Sequence, residues 1–351
     1  MVRGVALALQ GGGSHGAFTW GVLDRLLEEV DRGGLRISGL SGASAGAINA
    51  ALCVSGLAVG GPATARARLR AFWEGLSRRG EWAGNALWGF ADPGLFGFNI
   101  DWSPGAILLE AAGLVISPYT NPFYVDPLAP LLQDSFATAD LAALNAPASP
   151  RLFVSATNVR TNGLRIFAQP DITIDVLRAS SCLPAEFKAV RIGAEFYWDG
   201  GYLGNPALNP LLDVSDDLLL VIVNPFTYPH PPPTTAREIL DRLNQITFNA
   251  SLLQEVNAIE AVNRVLRTQG RTSDAAESRY RPIRFHLIRN DHFMRTLGFV
   301  SKSSTSWELI STLFEKGRAA AGHWIASHGD KVGRESSSDP GSELLAPLRG
   351  A

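Results

Sequence analysis

Five consecutive apolar residues, Val5 to Leu9, run into a cluster of glycines, after which Val22, Leu23, Leu26, Leu27 and Val30 recur at helical spacing. A short apolar run bounded by glycine suits a buried strand, and the i, i+3/i+4 recurrence suits a helix with one buried face. The pattern predicts a strand over 5–9, a glycine loop over 11–16 and a helix over 17–30. Residues 35–41 (LRISGLS) read as a second strand interrupted by small residues, and 45–53 (AGAINAALC) as a buried small-residue helix. A β-α-β-α opening predicts an α/β fold: a central, mostly parallel sheet flanked by helices.

Further apolar runs at 152–156 (LFVSA), 218–223 (LLLVIV) and 283–288 (IRFHLI) supply later strands. Residues 235–268 carry a long helical pattern in which Ile239, Leu243, Ile246, Leu252, Val256, Ile259, Val262 and Leu266 are spaced for one buried face, and 306–326 repeat the pattern. The stretch 82–129 differs, mixing Trp82, Trp88, Phe90, Phe96, Phe98, Trp102, Tyr119, Phe123 and Tyr124 with glycine and proline, which suits an irregular insertion. Residues 333–351 read as a flexible tail behind a single domain spanning 1–332, whose C-terminal helical region covers 235–328. No internal repeat is found.

Composition narrows the function classes. The 351 residues are 46% hydrophobic and 18% charged, enough for a substantial core. A net charge of −2 offers no general attraction to nucleic acid, so none is expected as a partner. The N-terminus lacks the h-region of a secretory signal, and no apolar stretch is long and continuous enough to span a bilayer, so a soluble cytoplasmic protein is expected. Cys53 and Cys182 read as core residues, and no metal-ligand spacing or cofactor is expected.

Chemistry concentrates at two turns. Gly42-Ala43-Ser44-Ala45-Gly46 is a G-x-S-x-G string between a strand and a helix, where a serine hydroxyl is exposed and a helix N-terminus favours developing negative charge. Gly11-Gly12-Gly13-Ser14-His15-Gly16 matches G-x-G-x-x-G after a strand and before a helix, as a dinucleotide-binding loop does. That reading wants an acidic residue at the end of the second strand, where this chain has Ser41-Gly42-Ala43-Ser44. The same loop can instead aim consecutive amides at an oxyanion. Two such turns on successive strands of one sheet belong side by side at its carboxyl edge.

A serine needs a proton acceptor, and histidine is the commonest. Of six histidines, His286 and His292 lie in and just after a strand pattern, where a Ser/His/Asp triad could draw on them; His15, His230, His323 and His328 are placed in loops or on the last helix. The more telling candidate is Asp199, between an aromatic run and Gly200-Gly201, where a carboxylate can closely approach another loop.

The ordered set GGGSHG, GASAG and DGG resembles the three signatures of the patatin-like phospholipases, and LRASSCLPAEF (177–187) and DGGYLGNPAL resemble further blocks, so the similarity covers roughly residues 4–225. The resemblance implies a Ser/Asp dyad without histidine: Ser44 as nucleophile, Asp199 as proton acceptor, and the amides of Gly11, Gly12 and Gly13 as oxyanion hole, with Gly16, Gly42, Gly46, Gly200 and Gly201 shaping the turns. It implies a lipid acyl hydrolase with an acyl-enzyme intermediate and a phospholipid or other acyl-lipid substrate. One departure is His15, where many members carry arginine. The aromatic insertion reads as a segment packed on the core, with a lid or a peripheral membrane contact as the alternative.

Overall fold

The computed structural model describes residues 3–84, 98, 117–122, 124–226, 231–268, 281–298 and 300–344, without the side chains of 81–84 and 237. The first half of the chain contributes β1 (Arg3–Leu9), α1 (Gly16–Asp31), β2 (Leu35–Gly42), α2 (Ala45–Gly84), α3 (Leu128–Ser135), α4 (Thr138–Leu144), β3 (Arg151–Asn158), β4 (Gly163–Ala168) and α5 (Ile174–Ser180). The second contributes β5 (Val190–Ile192), β6 (Glu195–Asp199), β7 (Asp217–Val221), α6 (Ala236–Thr268), β8 (Arg284–Ile288), α7 (Asp291–Met294), α8 (Trp307–His328) and α9 (Pro340–Glu343).

The strands form one sheet in the order β5-β6-β3-β2-β1-β7-β8, with β4 also paired to β3. Strands β3, β2, β1, β7 and β8 are parallel, while β4 and β6 run antiparallel to β3, and β5 antiparallel to β6. The expected α/β architecture is therefore present, with an antiparallel margin on one side. Alternation along β1 assigns each face: Val5, Leu7 and Leu9 join the larger core with α1, α2 and α8, whereas Ala6 and Ala8 join a second core with Leu252, Val256 and Ile259 of α6. Asp24 of α1 ties the helices of the first face together, pairing with Arg318 of α8 and with Arg66 of α2 at 2.8 Å.

Three expectations change. Helix α2 runs far past residue 53 and bends at Gly61 (φ 80°) before Pro62, the proline opening a new helical run as its missing N–H permits. By length and apolar content the stretch Ala45–Gly80 could cross a membrane, and 61% of its apolar window is buried inside the protein. Residues 333–344 are folded, not a flexible tail: Ser336 Oγ accepts the Phe285 amide at 3.1 Å, Gly333 donates to Asp217 at 2.9 Å, and Leu344 is buried in the second core. In α6 the buried face is Phe248, Leu252, Val256 and Ile259, whereas Ile239, Leu243, Ile246 and Val262 are exposed. Most of the aromatic insertion lies outside the described residues. Within it, the Tyr119 and Tyr124 hydroxyls accept the amides of Ala189 and Lys188 at 2.9 and 3.3 Å.

Candidate active site

The two turns meet. Strand β1 ends in Gln10 and the glycine loop, its neighbour β2 ends in Gly42, and the two are paired in register to Leu9↔Gly42. The approach is close enough that a Cβ on Gly11 would stand 2.6 Å from the Ala43 carbonyl and 2.8 Å from Ser44 Cβ. A Cβ on Gly46 would stand 2.2 Å from the Leu9 carbonyl, one on Gly42 2.5 Å from Gly46, and one on Gly16 2.7 Å from Ala45. Glycine is thus required by contact between the turns, and the motif spacing is the record of that contact.

Ser44 itself has φ 54°, a left-handed conformation that a non-glycine residue adopts at a cost of order 1 kcal/mol. Its amide is held from both sides of Ser180, by the backbone carbonyl at 3.1 Å and by Oγ at 3.0 Å. Helix α2 starts at the next residue, so its N-terminal dipole points at the serine.

Asp199 arrives by the antiparallel margin. Val154 of β3 pairs with Gly42, and Ala156, two residues on, pairs with Asp199, so the last residue of β6 stands just beyond the end of β2. Its backbone is fixed by its amide to the Cys182 carbonyl at 2.8 Å and by its carbonyl accepting from Thr157 Oγ1 at 2.8 Å. Gly201 donates to Asp199 Oδ1 at 2.7 Å, and a Cβ on Gly200 would strike the Ser155 carbonyl at 2.1 Å. The carboxyl is fully buried and its pKa is raised to about 7, chiefly by desolvation, opposed by the Gly201 amide and the Ser44 hydroxyl and assisted by the negative charge of Glu186. The Ser44 hydroxyl is thus near enough to favour the carboxylate, yet Asp199 Oδ2 makes no well-formed hydrogen bond. A carboxylate oxygen lacking a settled partner is one that can accept a proton from a slightly displaced hydroxyl.

The glycine loop departs from expectation at one position. Gly11 donates its amide to Asn205 Oδ1 at 2.7 Å, so Gly11 is not an oxyanion donor. Gly12 and Gly13 line the cleft with Ser44 and Asp199, and among the described residues their amides have no acceptor. Gly13 has φ +58°, and a Cβ there would lie 2.3 Å from the Lys302 carbonyl.

Sequence reasoning missed the amides that hold this loop. Gln10 Oε1 accepts the Val223 and Asn224 amides at 2.9 Å each, Gln10 Nε2 donates to Asn249 at 2.8 Å, and Asn224 Nδ2 donates to the Gly11 carbonyl at 2.8 Å. Asn205 Nδ2 completes the cage by donating to the Phe248 carbonyl at 3.1 Å. Asn205 lies inside DGGYLGNPAL, and Gln10 adjoins the glycine loop; those adjacencies were the available signals.

Among the described residues, no histidine lines the cleft that holds Ser44. His286 on β8 is three inter-strand steps from β2, about 14 Å at the usual spacing, and its ring bonds to Asp217 at 3.1 Å and Ser337 at 2.9 Å. His292 follows on α7 beyond the same edge strand. His15 is buried against Ser301 Oγ at 2.7 Å, and burial plus Lys302 push its pKa down to about 3, so it is neutral in the fold. His230 lies outside the described residues. No group of three or more metal-ligating side chains gathers among the described residues.

The cleft over Ser44 and Asp199 has a volume of about 450 Å³ and apolar walls that include Ile48, Phe72, Leu76, Leu131 and Phe187. Lys302, Arg79 and Glu186 supply the charges among its lining. A model of the patatin-like phospholipases matches residues 7–212, more than half of the chain. The chain belongs to that family. Membership makes it a lipid acyl hydrolase in general class. Among solved structures, VipD from Legionella pneumophila is 15% identical with a TM-score of 0.41, covering 99% of this chain and 73% of its own. ExoU from the type III secretion system of Pseudomonas aeruginosa, solved in complex with SpcU, gives 16% identity and a TM-score of 0.29, covering 92% of this chain and 52% of that one. No curated protein sequence matches the patatin-like chain.

Proposed function

We propose that this patatin-like chain hydrolyses carboxylic esters of phospholipids or other acyl lipids through a Ser44–Asp199 dyad and an acyl-enzyme. The observation that carries the reading is the pairing of a strained, backbone-anchored Ser44 with the unpartnered Oδ2 of a buried Asp199 on the floor of an apolar cleft. Asp199 takes the proton from Ser44 Oγ as the oxygen attacks the ester carbonyl. The tetrahedral oxyanion is held by the Gly12 and Gly13 amides. The C–O bond to the alcohol breaks, and that alcohol leaves with the proton from Asp199. Water, deprotonated by Asp199, then attacks the acyl-serine, and Ser44 recovers its proton as the fatty acid departs. The apolar walls accept an acyl chain, which supports a lipid over a small polar ester.

Hydrolysis of a panel of phospholipids and neutral glycerolipids by the wild type, Ser44→Ala and Asp199→Ala tests the reading. Fatty-acid release by the wild type and loss of both release and fluorophosphonate labelling in Ser44→Ala are expected. Labelling that persists in Ser44→Ala, or full activity in Asp199→Ala, sinks the dyad.

A further inference from the structure

The first half of α6 carries its apolar side outward. Ile239, Leu240, Leu243 and Ile246 are 41, 57, 53 and 50% exposed, and at 100° per residue they occupy one sector of about 120°. Glu238 and Thr247 of the same turns are exposed, but Asp241, Arg242, Asn244 and Gln245 are half-buried: Arg242 donates to Gln245 at 3.1 Å, Gln245 to Asp241 at 3.0 Å, and Asn244 accepts from Lys302 at 3.3 Å. From Phe248 onward the ordinary orientation returns, with Leu252 and Val256 fully buried. A helix that needed only to pack on its own sheet would bury four large aliphatic side chains and expose the charges. A contiguous exposed apolar sector marks a surface that is covered in use.

Its position indicates by what. Asn244 and Phe248, on the flank of the sector, line the cleft, and the Phe248 ring lies 5.0 Å from that of Tyr202, directly after Asp199-Gly200-Gly201. The sector thus borders the cleft that holds Ser44. It presents no charge, and the charged residues of 236–247, namely Arg237, Glu238, Asp241 and Arg242, cancel. A neutral aliphatic sector beside an apolar cleft matches the boundary between headgroups and acyl chains, into which amphipathic helices settle by apolar burial.

We propose that residues 239–246 of α6 form a lipid-docking face that seats the cleft mouth on a membrane or micelle surface. The proposal rests on the hydrolase reading of the cleft for its purpose, though not for its measurement. Docking is read by co-sedimentation with phosphatidylcholine vesicles of Ser44→Ala, which cannot turn the lipid over, with and without Leu240→Glu and Leu243→Glu together. Both leucines are exposed and outside the cleft lining, so turnover of a soluble short-chain ester by the same pair in the Ser44 protein stays at the wild-type level. Vesicle partitioning is expected to fall at least about tenfold, phospholipid hydrolysis to fall with it, and wild-type partitioning to be insensitive to salt. Unchanged partitioning in the double variant overturns the proposal. So does a wild type that ignores vesicles and sediments as a dimer dissociated by the two substitutions, which assigns the face to a second copy of the chain. Vesicle binding lost in the variant while no ester of any kind is hydrolysed by the wild type overturns the hydrolase reading and leaves the docking face standing.

Discussion

Asn205 Oδ1 accepts the amide proton of Gly11 at 2.7 Å, so the glycine loop is anchored at its first glycine and leaves the Gly12 and Gly13 amides for the proposed oxyanion hole. The same side chain grips α6 through the Phe248 carbonyl at 3.1 Å. Asn205→Ala is expected to leave the buried Gly11 amide unpaired, at about 1–3 kcal/mol of stability, and to lower kcat by roughly tenfold or more with KM little changed. Steady-state kinetics on the folded variant decide this. A change confined to KM would assign Asn205 to substrate contact instead of loop positioning.

The raised pKa of Asp199 sets the pH dependence. In the proposed dyad Asp199 is competent only as carboxylate, so kcat/KM is expected to rise with pH along one ionisation near 7 and to level off above it. Stability runs the other way. Because the folded pKa lies above the ordinary 3.8, the fold favours the protonated carboxyl; that contribution is complete below about pH 4 and is lost as pH rises through 7. Asp199→Asn should therefore abolish hydrolysis while melting at a higher temperature than the wild type at pH 8. Calorimetry at pH 5 and pH 8 gives the comparison, and a lower Tm than wild type at pH 8 contradicts the assigned burial cost.

Glu186 adds its negative charge to the burial that raises Asp199. Glu186→Gln is expected to move the acid limb of the pH profile to lower pH without abolishing turnover. A profile that stays in place would mean that solvent screens the pair.

Gly11→Ala tests the contact between the two turns. The added methyl meets the Ala43 carbonyl at 2.6 Å and Ser44 Cβ at 2.8 Å, both parts of the turn that carries the proposed nucleophile. At least about a hundredfold loss of kcat in a protein that still folds is expected, since a displacement near 1 Å at the reacting atom suffices.

His286→Ala separates the dyad from a histidine triad. With its ring bonded to Asp217 and Ser337 and packed on Trp324 at 5.7 Å, His286 fastens residues 333–344 to β8. Its removal should cost roughly 2–3 kcal/mol of stability and leave kcat at the wild-type level below the melting transition. Loss of turnover without loss of stability would restore the triad.

Much of the site could be read from the chain because its requirements are local. Strand-loop-helix periodicity placed the Gly11–Gly16 and Gly42–Gly46 turns on neighbouring strands, and crowding between the turns leaves glycine as its trace. The share of the loop amides between anchoring and oxyanion binding was not legible, because Asn205 sits far along the chain from Gly11 and no periodicity links them. The antiparallel margin escaped for another reason: β5 has three residues and β4 is half exposed, so neither makes a continuous apolar run. In α6, periodicity revealed an amphipathic helix but misassigned its first half, where the apolar sector and the buried sector part company. The folded end at 333–344 is polar in sequence and held mainly by hydrogen bonds to β7 and β8, which composition does not register.

The bend at Gly61 and Pro62 lets both halves of α2 reach the cleft. Before it, the helix begins beside Ser44 and contributes Ala45 and Ile48; after it, Phe72, Trp73, Leu76 and Arg79 join the lining. The two halves are nonetheless held together: a Cβ on Gly56 would stand 2.2 Å from Ala65 Cα, and Trp73 Nε1 donates to Asn49 Oδ1 at 3.0 Å. A change in the cleft wall at Trp73 is therefore transmitted through Asn49 to the helix that begins beside Ser44.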